Sequence, residues 1–191
     1  TVSFSDTASG VSVDLTAGTA TGNESGTDTL SGFENIAGGA GRDTLKGDGG
    51  NNVLSGAAGD DTYIVTDGDD YIVTGAGSDT LEVTHGYGLE KIVLDNTTGN
   101  LTLSLTKASD SSQHTVTVLG HATSPLAALR VYSSETEYSD YSLLVTYNET
   151  TNTYTAKMDD LATRMDGTSG AENLVGGAGD DEVREEGRPA L

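Results

Sequence analysis

The chain has no cysteine, no tryptophan, 2 proline and 2 phenylalanine residues, and its Lys and Arg together number 9. Without cysteine there is neither a disulfide nor a thiolate metal site. Basic residues are outnumbered by 30 Asp and Glu, for a formal net charge of -21. Nucleic acid and anionic membrane are thereby excluded as partners, because each phosphate contact needs Lys or Arg. No apolar run approaches the roughly 18 residues of a membrane-spanning helix. The sequence opens at Thr1 with no basic segment followed by an apolar one, so no signal peptide is visible, and both ends read as cuts within a longer protein.

What is abundant is glycine, 26 of 191 residues, without the strict every-third spacing of collagen. Hydrophobic content is 34%, low for a domain folding by burial alone. Such a chain is either disordered or neutralised by something other than a core.

A period of nine resolves the choice. From Thr29 to Glu82 the chain divides into six nonapeptides: TLSGFENIA, GGAGRDTLK, GDGGNNVLS, GAAGDDTYI, VTDGDDYIV and TGAGSDTLE. Their fourth residues are Gly32, Gly41, Gly50, Gly59, Gly68 and Gly77; their sixth are Glu34, Asp43, Asn52, Asp61, Asp70 and Asp79. Their eighth are apolar or aromatic: Ile36, Leu45, Leu54, Tyr63, Ile72 and Leu81. Two later units, GTSGAENLV and GGAGDDEVR, keep the pattern at Gly170 and Gly179, Glu172 and Asp181, Leu174 and Val183. A Gly-rich stretch turns sharply; the last three residues of a unit form a short strand with its central side chain inward. Two units make one coil, and coils stack as parallel sheets about 4.8 Å apart.

That geometry predicts two columns of sixth-position residues, Asp43, Asp61 and Asp79 on one edge and Glu34, Asn52 and Asp70 on the other. Like charges about 5 Å apart repel unless a cation separates them. An oxygen-only ligand set in irregular turns selects Ca²⁺ over transition metals and over Mg²⁺. Several ions are expected.

These units resemble the GGxGxDxUx calcium-binding repeats of the RTX, or haemolysin-type, family; Gly38 to Lys46 and Gly176 to Arg184 fit every defined position. The resemblance implies an all-β fold: a parallel β-roll with Ca²⁺ held between turns by sixth-position Asp and by turn carbonyls. The implied metal set is Asp43, Asp61, Asp79, Asp70, Asp181, Asn52 and Glu34. Turn glycines Gly38, Gly39, Gly41, Gly56, Gly59, Gly75, Gly77, Gly176, Gly177 and Gly179 complete it. It also implies an extracellular bacterial protein exported by type I secretion, folding on calcium and joined to the rest of a larger protein. Glu34, Asn52 and Glu172 depart from Asp, and the fifth unit starts Val65–Thr66 where Gly–Gly is usual.

The flanks lack the period. Residues 1–28 read as a β cap with Val11, Val13 and Leu15 facing one way. Residues 83–166 read as an antiparallel β insert, with strands at Leu89–Asp95, Leu101–Thr106, His114–Leu119, Ser142–Asn148 and Thr153–Lys157. Short helices are expected at Pro125–Val131 and Asp159–Met165. Residues 167–184 make one more coil, either stacked on the first roll or starting a second, and residues 185–191 read as a tail.

Catalytic constellations are not found. Asp60–Asp61 and Asp69–Asp70 are adjacent and point apart, unlike a glycosidase pair. His85, His114 and His121 match no zinc spacing, and GxSxG is absent. The expectation is a non-enzymatic segment. The alternative is a polysaccharide-binding or adhesion module using Tyr132, Tyr138 and Tyr141 as sugar platforms.

Overall fold

The computed structural model describes residues 1–95, 97–121 and 123–132 in full. Beyond them it describes the backbone of strands within 138–185. The strands in the repeats and before them are β1 (Val2–Ser3), β2 (Val11–Asp14), β3 (Thr19–Gly22), β4 (Gly26–Thr29), β5 (Asn35–Ala37), β6 (Thr44–Lys46), β7 (Val53–Ala58), β8 (Thr62–Val65), β9 (Asp70–Ala76) and β10 (Thr80–Val83). There follow β11 (Tyr87–Leu94), β12 (Leu101–Lys107), β13 (Gln113–Val118), β14 (Ala128–Tyr132), β15 (Tyr138–Tyr141), β16 (Leu143–Asn148), β17 (Thr153–Met158), β18 (Arg164–Gly167), β19 (Ala171–Val175) and β20 (Glu182–Glu185). The fold is all-β, with no helix among the described residues.

Alternate nonapeptides feed opposite walls of a parallel β-roll. One wall runs β1-β5-β7-β9-β13 and the other β2-β6-β8-β10-β14, each pair parallel. The register stacks eighth-position side chains into two columns. Val13, Leu45, Tyr63, Leu81 and Leu129 form one; Val2, Ile36, Leu54, Ile72 and Val118 form the other. All but the partly buried Val2 are in the core, so one inward residue per three-residue strand suffices once coils stack.

The stack extends past the repeats. β1 and β2 form a coil before the first full repeat, and β3 and β4 then fold back antiparallel to end that wall. At the other end β13 and β14 form a coil after the last repeat of the block. Residues 128–132 are therefore a strand and not the helix expected at Pro125–Val131. Leu126 and Leu129 stand three apart, as on a helix face, but Leu129 gains more by extending the buried column over Leu81. For the expected helix at Asp159–Met165, residues 159–163 lie outside the described residues, and Arg164 and Met165 belong to strand β18.

β11 and β12 form an antiparallel hairpin continuing the first wall beyond β13. Alternation puts Leu101, Leu103 and Leu105 of β12 fully inside, with Ile92 and Leu94 of β11. Among the described residues, the late repeat strands β19 and β20 do not pair with those of the first block. β18 joins β11 in parallel, β20 joins β18, and β19 joins a separate sheet ordered β16-β17-β19. Arg164 faces Glu182 and Thr153 faces Ala171, so an eighteen-residue register starts again in these later pairs.

Candidate metal centre

Each turn of the roll is tied to the next by a sixth-position carboxylate. Asp61 Oδ1 accepts the backbone N–H of Asp43 at 2.8 Å, and Asp79 Oδ1 that of Asp61 at 2.9 Å. On the opposite edge Asp70 Oδ1 accepts the N–H of Asn52 at 2.9 Å. The donor lies eighteen residues back in every case, one full coil. Asp43 does the same for Val11 at 2.9 Å, joining the coil that precedes the repeats.

Asp43, Asn52, Asp61, Asp70 and Asp79 are all buried, at 0 to 1% exposure. Carboxylates are almost never so buried without a charge partner. Yet Oδ2 of Asp61, Asp70 and Asp79 has no hydrogen-bond partner in this structure. Burial is the main reason the carboxyls of Asp61 and Asp70 are pushed up to about 7, with neighbouring acids adding to it. Asp79 is raised mainly by burial as well. Three buried carboxylate oxygens with no partner, two on one edge of the roll and one on the other, each fit a hard cation that takes its remaining oxygens from turn carbonyls. Among the described residues no three His, Asp or Glu side chains gather into a ligand set, so backbone oxygens are required.

The glycines leave room for this arrangement. A Cβ at Gly56 would stand 2.0 Å from Asp61 Oδ2, and one at Gly38 2.2 Å from Asp43 Oδ2. Gly39 donates its N–H to Asp43 Oδ2 at 2.8 Å, so that carboxylate is satisfied internally. Gly41, Gly59 and Gly77 stack directly on one another. Gly59 and Gly77 have φ of +119° and +136°, and a Cβ on either would meet the carbonyl oxygen of the glycine one coil back. Gly75 likewise lies over the Ala57 carbonyl.

The remaining expected ligands are placed differently. Glu34 is exposed, and its contribution is a backbone carbonyl that accepts from Asn52 Nδ2 at 2.9 Å. The Asp column ends at Val11 below and Ala127 above, whose N–H reaches the Asp79 carbonyl at 2.8 Å. Asp181, Gly176, Gly177 and Gly179 lie outside the described residues.

Two features escape the repeat code. Tyr63 fills an eighth position, and its buried hydroxyl donates toward the carbonyls of Thr74 at 2.9 Å and Val73 at 3.2 Å. Burial, then the charges of Asp79 and Asp61, push its phenol above the usual range, so it stays a neutral donor beside the column. The only hint in the sequence is an aromatic where the other units carry Leu or Ile. The second feature is the fifth unit, VTDGDDYIV, whose extra acids are taken by the insert. Lys107 Nζ lies 2.6 Å from Asp67 Oδ2, the Tyr87 hydroxyl donates to Asp67, and His114 Nε2 is 3.4 Å from it. Bonds from Lys107 and then Tyr87 hold the Asp67 carboxyl below its usual range. His114 Nδ1 accepts the Gly68 N–H, and Asp69 Oδ1 accepts that of Thr115.

Residues 28–63, 64–82 and 166–184 match the family model of the RTX calcium-binding nonapeptide repeat, in four copies. These segments are similar to such repeats, and the match supports calcium as their ion. A search of curated proteins finds no match to the chain.

Proposed function

We propose that this chain is a calcium-dependent folding module of a secreted bacterial protein, ordering on arrival in a calcium-rich medium and so stabilising or displaying the parts joined to it. Repeats of this kind are typical of secreted bacterial proteins. The observation that carries the reading is the set of partnerless buried oxygens on Asp61, Asp70 and Asp79. A metal-free roll has to bury these charges uncompensated, at a cost of several kcal/mol per ion on general grounds. A cation bound only in the folded state reverses that cost, so its binding free energy becomes folding free energy. Export by a type I route belongs to the same reading: a chain unfolded at low calcium is threadable, and one with no cysteine needs no oxidative step. We assign any catalysis to other parts of the parent protein.

The test is far-UV circular dichroism in chelator, in excess Ca²⁺ and in excess Mg²⁺. Strand signal that appears with Ca²⁺ and not with Mg²⁺ supports the reading; identical spectra in all three would overturn it.

A second reading, polysaccharide binding, rests on a tyrosine pair. The β14–β15 register sets Tyr138 opposite Tyr132, with Tyr141 opposite Leu129. Tyr132 also lines a surface depression with Lys46, Ile64, Glu82, Thr84 and His85. Tyr132→Ala should abolish glycan binding if this reading holds, and a wild-type chain that retains no glycan on an array removes it.

A further inference from the structure

The turns of the roll are not equivalent. At the Asp61, Asp70 and Asp79 turns a carboxylate oxygen is buried without a partner. At the Asn52 turn, equally buried, every side-chain polar atom is used. Nδ2 donates to the Glu34 carbonyl at 2.9 Å and to Asp48 Oδ1 at 3.2 Å, while Oδ1 accepts the Asp48 N–H at 2.8 Å. These partners fix the orientation of the amide, since two of them only accept and the third only donates.

The Nδ2 group therefore stands among oxygen acceptors. We propose that the Asn52 turn takes no calcium, because Oδ1, the counterpart of the partnerless Asp61 Oδ2 against the first-position glycine, is already held by the Asp48 N–H and Nδ2 bridges the Glu34 carbonyl and Asp48, and that Asn52→Asp turns it into an additional calcium site. The inference rests on the calcium reading above and goes further by assigning which turn takes no ion and why.

The surroundings support the conversion. An aspartate at position 52 sets a carboxylate oxygen against the Glu34 carbonyl and the Asp48 carboxylate, both already within 3.2 Å of Nδ2. Those are three hard oxygens with two negative charges, the chemistry that Ca²⁺ selects. Without an ion the same three oxygens repel. Asp48 occupies the second position of its unit, where Gly39 and Gly75 stand in other units. The third unit thus departs from the repeat at two places, and the two departures bond to each other. The rung also ties the Glu34 turn to the Asn52 turn at any calcium concentration.

The experiment counts bound Ca²⁺ by equilibrium dialysis at neutral pH, on the whole chain, for wild type, Asn52→Asp and Asn52→Ala. Asn52→Asp should bind one ion more than wild type. Asn52→Ala should bind the same number as wild type, with a lower thermal midpoint in saturating calcium, because the Glu34 carbonyl and Asp48 lose their donor. An unchanged count in Asn52→Asp, or one ion fewer in Asn52→Ala, overturns the inference. Should Asn52→Asp fail to fold, the Asn52→Ala count alone decides between the outcomes. A wild-type chain that binds no calcium overturns the calcium reading itself and this inference with it; a calcium-binding wild type with an unchanged Asn52→Asp overturns the inference alone.

Discussion

Asp43 donates its backbone N–H to Asp61 Oδ1 at 2.8 Å, and Asp61 donates its own to Asp79 Oδ1 at 2.9 Å. One carboxylate oxygen thus works as structural glue between coils, and in Asp61 and Asp79 the second is buried without a partner. The two roles can be separated by substitution. Asp61→Asn keeps the acceptor for the Asp43 N–H and removes the charge. It should bind fewer Ca²⁺ ions than wild type and be more stable than wild type in chelator. Asp61→Ala also orphans the buried N–H and should be less stable than Asp61→Asn by about 1–3 kcal/mol. Urea unfolding of the three proteins in chelator, with calorimetry for the ion count, checks this.

Acid should act in opposite directions with and without metal. In the metal-free roll the carboxyls of Asp61 and Asp70 titrate near 7, against 3.8 for an ordinary Asp. A folded-state value above the unfolded one favours the folded state below the unfolded value, and that contribution is lost as pH rises through the folded value. In chelator, lowering the pH from 8 to 5 should therefore raise the strand signal. With calcium the protons compete for the same oxygens. Apparent affinity should fall below pH 7, by about tenfold per pH unit for each carboxyl that must give up a proton. Strand signal in chelator that is independent of pH contradicts the assignment of these groups.

Glycine tolerance should depend on what lies behind each residue. Gly59 has φ +119°, and an added Cβ would stand 2.3 Å from the Gly41 carbonyl oxygen. Gly26 has φ +79° with nothing within 4 Å. Gly26→Ala should cost only the left-handed penalty, about 1–2 kcal/mol. Gly59→Ala has to separate two coils as well, and should cost more than ~3 kcal/mol or abolish calcium-induced folding. Denaturant midpoints in saturating calcium rank the two.

Much of this was legible beforehand. The nine-residue code predicted paired walls, eighteen-residue stacking, and the Asp43, Asp61, Asp79 column, because a turn that must be Gly and a strand that must be apolar leave a strict periodic trace. The coils made by β1 and β2 and by β13 and β14 left no such trace. A stacked strand needs one inward apolar residue and free backbone groups, so Val13 and Leu129 suffice without any glycine code. The expected helix at Pro125–Val131 gave way to that stacking. The roles of Tyr63 and Asn52 depend on atoms brought together across coils, which no local spacing encodes. The surplus acids of the fifth unit became explicable only with the insert: Asp69 with Thr115, and Asp67 with Lys107, forty residues away.

That contact carries its own prediction. Lys107→Ala leaves Asp67 with the Tyr87 hydroxyl and His114 alone. The variant should keep the wild-type ion count, lose thermal stability in low salt, and approach wild type at high salt, because partly exposed charges are screened. A lost calcium ion would show instead that Asp67 belongs to a metal site.

The central claim is that calcium supplies folding free energy through the buried carboxylates. Its most direct test is the unfolding free energy measured by denaturant titration at a series of free Ca²⁺ concentrations. Above saturation, each ion released on unfolding adds about 1.4 kcal/mol per tenfold rise in calcium. The three partnerless carboxylate oxygens, on Asp61, Asp70 and Asp79, predict a slope near three such increments, about 4 kcal/mol per decade. A stability that does not change with calcium would contradict the account.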